Sequence, residues 1–451
     1  MPPSSFRTVG ASLFAISTGF DILRFRFGDF FSKMWLEYAR RPRSLPVPVL
    51  RKRFLAPEWV FIFGTGSLLK QKRTPERSEL SVTGSLIPPH GYAGAAMRIV
   101  YVVGTRPNFV KTAPVIGALR ARLPEGRHAI VHTGQHYDRL MSDVFLEELG
   151  VPAPDHMLEV GSGSHAVQTA RTMERLEPVL TEEDPDLMIV PGDVNSTLAA
   201  ALTAVKMGIP VAHIESGLRS FDMTMPEEVN RIVADRFSRD LFIHSDEGIE
   251  NLRAEGIAEE RMHMVGNTMI DTLVALEERF RAAGAAARLA LRPGSYALVT
   301  LHRPALVDGP LLAETVAQLE ALAAQMPVVF PVHPRTRKMM EDAGAGHPGL
   351  LLSEPFGYLD FLSLLADAGA VLTDSGGIQE ETTYLGIPCF TLRDNTERPV
   401  TIRAGTNTLL GLDPAAIAGI PSALAAHGKS PSEPPPFWDG HAAERIADVL
   451  V

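Results

Sequence analysis

Ala370-Val371-Leu372-Thr373-Asp374-Ser375-Gly376-Gly377-Ile378-Gln379-Glu380-Glu381 sets an apolar run against a small-residue turn that leads directly into a helix-compatible segment. A strand that stops at Ser-Gly-Gly and begins a helix presents free backbone N–H groups and the positive helix end beyond the sheet edge. Ser375, Gly376 and Gly377 let an anion approach the backbone without a Cβ clash. Glu380 and Glu381, one turn later, stand near enough to take hydroxyls attached to that anion. The functional reading is a seat for a nucleotide diphosphate. The plain reading is an ordinary strand–turn–helix joint, because turn residues of this kind mostly mark loops. Either way a strand feeds a helix, which is the unit of an α/β fold.

The same alternation extends back to Met97. Strands are expected at Arg98–Val103, Ala129–Thr133, Leu187–Val190, Val211–Ile214, Leu241–His244 and Met262–Val265, with helix-length amphipathic segments between them. A helical segment, Ile270 to Leu291, ends at the boundary signal Arg292-Pro293-Gly294-Ser295. A second alternating set follows, with strands near Tyr296–Leu301, Val328–Pro331, Leu350–Leu352, Val371–Thr373 and Cys389–Leu392. The expected architecture is two Rossmann-like, doubly wound α/β domains, 97–270 and 271–435, facing a cleft. Residues 436–451 would form a helix that packs back on the first domain. Ligands of such folds bind at strand C-terminal ends.

Composition narrows the function classes. The chain has 451 residues, a formal charge of −10 and one cysteine. An acidic chain argues against general nucleic-acid binding. One cysteine excludes an internal disulfide framework and a cysteine-based zinc site. Cys389 itself, inside an expected strand, reads as a packed thiol. No apolar run is long enough to span a bilayer, and no His-Glu-x-x-His pattern points to a metal. Residues 1–96 differ from the rest: they carry 14 basic and 6 acidic side chains, against 29 and 47 afterwards. That asymmetry marks an appended element. It is read here as an extension, disordered or upstream of a natural start at Met97, in preference to a membrane-surface segment or a signal-like start.

Candidate functional residues cluster where the expected strands end. Arg106 and Lys111 follow the first strand and suit phosphate oxygens. Asp193 follows the third, Glu215 the fourth, and Glu227 opens the next helix. The bland reading is helix capping and helix-start chemistry. The functional reading is a carboxylate cluster, in which like charges raise at least one pKa into the range of general acid–base work. His302 and His333 each stand just past a strand of the second set and read as partners for anionic oxygens. Arg398 adds a cation beyond the Cys389 strand.

From Met97 to about Gly411, these stretches together resemble the non-hydrolysing UDP-N-acetylglucosamine 2-epimerases. The resemblance rests on Gly104-Thr105-Arg106-Pro107, Gly134-Gln135-His136, Pro191-Gly192-Asp193, Glu215-Ser216-Gly217-Leu218-Arg219, Pro226-Glu227-Glu228-Val229-Asn230-Arg231, His302-Arg303, Thr373 to Glu381 and Arg393 to Pro399. It implies two Rossmann-like domains as in GT-B glycosyltransferases, a cytoplasmic homodimer and no metal or nicotinamide cofactor. The implied reaction inverts C2 of UDP-GlcNAc to give UDP-ManNAc, eliminating UDP to a 2-acetamidoglucal and adding it back. The resemblance gives Asp193, Glu215 and Glu227 to the sugar and His302 to the departing UDP. It gives Ser375, Gly376 and Gly377 to the diphosphate, Glu381 to the ribose, Arg106 and Arg398 to further phosphate contacts, and Phe361 to the uracil. Gln135, His136, Arg171 and His333 look similar to positions that hold a second UDP-GlcNAc as activator. Asn108 stands where many members have Glu, and Pro304-Ala305 where many have Arg-Glu. These departures point to a subgroup, and relatives exist that epimerise UDP-linked diacetamido uronic acids. A GT-B-type glycosyltransferase is the alternative of another class, since fold alone does not decide function.

Overall fold

The structure, a computed structural model, describes residues 97–134, 145–307, 309–427 and 433–451. The extension 1–96 and the positions Gln135 and His136 lie outside the described residues.

The described strands form two parallel sheets. The first comprises β1 (Arg98–Val103), β2 (Arg127–His132), β3 (His156–Met157), β4 (Leu187–Pro191), β5 (Val211–Ile214), β6 (Asp240–Ile243) and β7 (Met262–Met264), in the order β3-β2-β1-β4-β5-β6-β7. The second comprises β8 (Ala297–Thr300), β9 (Val328–Pro331), β10 (Leu350–Ser353), β11 (Ala370–Thr373), β12 (Cys389–Thr391) and β13 (Asn407–Leu409), in the order β10-β9-β8-β11-β12-β13. Strands such as β1 and β4 are almost wholly apolar and buried, as strands covered by helices on both faces must be. In each sheet the order reverses once, between β1 and β4 and between β8 and β11. Those reversals are the switch points at which doubly wound sheets bind ligands.

The first sheet's helices are α1 (Arg106–Arg122), α2 (His165–Glu183), α3 (Asn195–Lys206), α4 (Pro226–Phe237) and α5 (Asp246–Ala254). The second half contains α9 (Pro304–Val307), α10 (Leu312–Ala323), α11 (Pro334–Asp342), α12 (Tyr358–Asp367), α13 (Gly376–Leu385), α14 (Val400–Arg403) and α15 (Ile420–His427). Between the halves, the single helix expected over Ile270–Leu291 is three: α6 (Thr268–Ala275), α7 (Glu277–Ala283) and α8 (Ala285–Arg288), with Gly284 left-handed at φ 60° ending α7. A final helix, α16 (Ala442–Leu450), packs on α1, and its Ile446 and Leu450 share a core cluster with Ile99, Tyr101 and Leu119 of the first half. No helix among the described residues is long and apolar enough to cross a membrane.

Candidate active site

The two switch points meet at a cavity of about 560 Å³. Arg106 and Lys111, from the turn after β1 and the first turns of α1, line one wall. Ser375 and Gly377, from the turn between β11 and α13, line the other with Phe361, Tyr358 and Glu381. The start of α1 is fixed by Asn108, whose Oδ1 accepts from Thr105 N at 3.1 Å and whose Nδ2 donates to Pro191 O at 3.3 Å. The second bond ties the turn after β1 to the end of β4. A glutamate at this position, lacking a donor, could not make it.

Behind the Ser375–Gly377 turn lies a buried charge network that joins the halves. Glu215, at the end of β5, accepts from Lys111 Nζ and, at 2.5 Å, from Arg398 Nη2. Arg398 also gives Nε to Glu380 at 2.8 Å and Nη1 to Glu397 at 2.5 Å, and Arg393 holds the other Glu397 oxygen at 2.7 Å. Close approach shapes both local turns. Gly192 is left-handed, and a Cβ there would stand 3.2 Å from both Lys111 Nζ and Glu215 Oε2. A Cβ on Gly376 would stand 2.8 Å from Arg398 Cζ. Glu215 is itself left-handed at φ 67°, a conformation a non-glycine residue holds only when its surroundings enforce it.

This network corrects two expectations. Glu215 does not gain a raised pKa from neighbouring carboxylates. Burial pushes it up, but Lys111 and Arg398 outweigh burial and hold it below the ordinary value, and the carboxylate that opposes them is Glu380 from the second sheet, not Asp193 or Glu227. Arg398, expected to hold phosphate directly, is only 4% exposed and has all three guanidinium nitrogens engaged with carboxylates. Three acids converging there require a resident cation. Glu215, His244 and Glu380 bring one ligand atom each within 4.8 Å of one another. Arg398 already bonds both carboxylates and Lys111 bonds Glu215, so the donor set is charge-compensated without an ion.

Asp193 and Glu227 lie on the neighbouring edge. Asp193, following β4, pairs with Arg231, and its main-chain carbonyl accepts from Asn230 Nδ2 at 2.8 Å. Arg231 is almost fully buried and also bonds Glu228, whose carboxylate accepts from Ser220 N and Phe221 N at 2.9 Å each. One guanidinium thus positions Asp193 and braces the loop before α4. Glu227 sits half-buried in the first turn of α4, one residue from that brace.

The raised carboxyl in the site is Glu381. Burial, helped by Glu380 and opposed by a 3.3 Å hydrogen bond from Tyr358 Oη, pushes it from 4.5 up to about 8. Its neighbour Glu380 is held down at about 2: burial raises it, but Arg398 and His244 outweigh that. Adjacent acids driven apart in this way hold different protonation states at neutral pH. The linkage to stability follows. Below pH 4.5 the folded and unfolded chains both hold the Glu381 proton. Between 4.5 and about 8 only the folded chain keeps it, so stability falls as pH rises, and above 8 the full penalty of roughly 5 kcal/mol is present. Glu381→Gln is expected to flatten this component of a melting-temperature profile between pH 5 and 8.5. An unchanged slope would assign the ionisation elsewhere.

His302, just past β8, is well exposed at 69%, with Nδ1 2.6 Å from Asp374 Oδ1. Asp374 is buried and takes His302 N at 2.9 Å and Arg303 N at 2.8 Å on its other oxygen. Burial raises Asp374, and the hydrogen bond and charge of His302 outweigh it, leaving the carboxyl below its ordinary range. The imidazole is therefore aimed with its free Nε2 outward. Of the positions read as an activator site, Arg171 is exposed and bonds Val160 O and Ser162 O, and His333 is exposed past β9. Neither lines the cavity. Tyr358, Asp374, Arg231 and His244 were missed by sequence reasoning. Asp374 and Arg231 were legible, since they stand inside the Thr-Asp-Ser-Gly-Gly turn and the Pro226–Arg231 stretch. The other two gave no local signal.

Residues 120–451 match the family model for UDP-N-acetylglucosamine 2-epimerase. A UDP-N-acetylglucosamine 2-epimerase of Methanococcus maripaludis is 38% identical over 78% of this chain and 98% of its own length. A UDP-2,3-diacetamido-2,3-dideoxy-D-glucuronate 2-epimerase of Pseudomonas aeruginosa is 40% identical over 78% of this chain and 99% of its own. Among solved structures, the Methanocaldococcus jannaschii UDP-GlcNAc 2-epimerase in complex with UDP-GlcNAc and UDP superposes with a TM-score of 0.72 at 37% identity, covering 78% of this chain and 99% of that one. With the two facing switch points and this match along nearly the whole of each relative, the chain belongs to the UDP-N-acetylglucosamine 2-epimerase family.

Proposed function

We propose that the protein interconverts UDP-GlcNAc and UDP-ManNAc by eliminating UDP to a 2-acetamidoglucal and adding it back. In the first step a base removes the C2 proton, the C1–O bond breaks, a C1=C2 double bond forms and the electron pair leaves with UDP. In the second, UDP oxygen re-forms its bond to C1 and a proton reaches C2 from the opposite face. The single observation that supports this reading best is Glu215 held between Lys111 and Arg398, directly behind the cavity wall. A diphosphate seated at Ser375 and Gly377 competes for the Lys111 ammonium. As Lys111 turns to phosphate, Glu215 loses a stabilising cation and its proton affinity rises. The base is then armed only with substrate in place, while Asp193 or Glu227 serves the other face. His302, aimed by Asp374, donates to the departing UDP.

Incubation with UDP-GlcNAc in D2O tests the reading: UDP-ManNAc carrying deuterium at C2 is expected. Free ManNAc and UDP would indicate a hydrolysing enzyme. The Pseudomonas aeruginosa likeness supports a second substrate reading, a UDP-diacetamido uronic acid. Turnover of that sugar without turnover of UDP-GlcNAc would select it. His302→Ala is expected to lower kcat at least about tenfold while UDP-GlcNAc binding changes little, because the bond it makes strengthens as charge develops on the leaving group. Equal losses in kcat and affinity would remove that role. The reading also carries a cytoplasmic homodimer, for which sedimentation velocity is the check.

A further inference from the structure

A second cavity, of about 310 Å³, opens on the far side of the charge network. Its walls come from both halves: the joint between β6 and α5, Met264 of β7, α14, and the returning segment Pro435–Phe437. Three of the residues that line it carry buried polar atoms with no protein hydrogen-bond partner: Ser245 Oγ, Glu247 Oε2 and His244 Nδ1. Ser245 and His244 are 6% and 3% exposed. Buried groups of this kind are ordinarily satisfied, and here they share one cavity.

The charge around them is negative. Asp246, Glu247 and Glu250 line the cavity against one cation, Arg403, which pairs with the other Glu247 oxygen. Two acids in the first turn of α5 cancel the attraction its N-terminus would have for an anion. The remaining surface is apolar: Met264, Val400, the two prolines and Phe437, which is 47% exposed. We propose that this cavity is a binding site for a small organic ammonium compound, its charge on Glu247 and Ser245 and its apolar body against Met264 and Phe437.

His244 belongs to both sites. The residue lines this cavity, and its Nε2 lies 3.2 Å from Glu380 Oε1, which Arg398 also holds. An occupant that contacts His244 and bridges walls from both halves changes the free energy of the arrangement in which Arg398 reaches Glu215. Coupling to the nucleotide site follows and must be reciprocal. That coupling, unlike the binding, rests on the UDP reading above.

Benzylamine is the probe, with benzyl alcohol as its neutral counterpart. Calorimetric titration of the full chain is expected to give saturable binding of benzylamine and none of the alcohol. Glu247→Gln is expected to weaken benzylamine at least about tenfold, as loss of a charge-assisted partner should. Ser245→Ala is the second variant. Its hydroxyl makes no cap hydrogen bond to α5, so the fold keeps its support while affinity drops about threefold. Equal binding of the two probes, no binding of benzylamine, or wild-type affinity in both variants overturns the site. Saturating UDP is expected to change benzylamine affinity by the factor with which benzylamine changes UDP affinity. Benzylamine binding with no such factor overturns the coupling alone, and failure of UDP to bind overturns the nucleotide reading while leaving the amine result standing.

Discussion

Arg398→Met is expected to cost about 3–5 kcal/mol of stability, the range found when one member of a buried ion pair is removed. The size follows from the geometry. Glu215 is 8% exposed, Glu380 fully buried and Glu397 6% exposed, and one guanidinium reaches all three. Without it Glu380 keeps His244 and the more distant charge of Lys111, Glu215 keeps Lys111 and Glu397 keeps Arg393. Methionine matches much of the volume and none of the charge. Arg398→Lys is expected to recover less than half of the loss, because an ammonium is a point charge and cannot bond three carboxylates through separate nitrogens. Denaturant unfolding of both variants at pH 7 measures this. A methionine variant as stable as the parent would mean that the three acids are solvated or protonated. Lowering the pH should narrow the gap, since Glu380 and Glu397 are both held below the ordinary carboxylate range. Their ion-pair contribution is present above the unfolded value and is lost as pH falls through the depressed one.

Glu215→Gln and Asp193→Asn are each expected to slow turnover at least about a hundredfold, the scale of a lost acid–base group. The two losses should differ in their companions. In Glu215→Gln, Lys111 is left with a neutral partner, so UDP is expected to bind as well as in the parent or better, its phosphates gaining a less engaged cation. In Asp193→Asn, Arg231 keeps Glu228, so the loop before α4 stays braced and UDP affinity should not change. Steady-state rates with UDP-GlcNAc and direct UDP titrations separate these outcomes. Parent-like turnover in either variant removes that residue from the proton transfers. A large loss of UDP affinity in Glu215→Gln would place the carboxylate in binding instead of chemistry.

The alternation of short apolar runs and helices carried the two-sheet architecture, because buried parallel strands leave a continuous apolar trace. The small-residue turn at Ser375–Gly377 and the cations after β1 were legible for the same reason: strand ends are where ligands can reach backbone. The pairing of charges was not legible. Lys111 and Glu215 are 104 positions apart, and Arg398 and Glu215 are 183 apart. Sequence gives the sign of each charge, while topology chooses the partner, and here it chose cations for acids expected to repel one another. Tyr358 was missed because its helix supplies an ordinary apolar stripe, and only the placement of that helix beside Glu381 gives its hydroxyl a role. β3 and β13 are two and three residues long, too short to leave a period.

The chain passes from the first half to the second through α6 and comes back through Trp438 to α16. The two passages are tied together: Asp271 of α6 accepts from the backbone N–H of Ala442 and Ala443 at 3.1 and 2.6 Å, and Trp438 Nε1 donates to His244 O at 2.9 Å. A single tether lets two bodies swing and swivel, whereas two tethers stitched side by side act as a strap hinge that bends about one line and resists torsion. Under the proposed chemistry the glycal and UDP are for a moment separate molecules between two walls. A joint that resists swivel returns the UDP oxygen to the face of C1 it left, so retention at C1, where the bond is broken and re-made, becomes a kinematic property of residues far from the sugar.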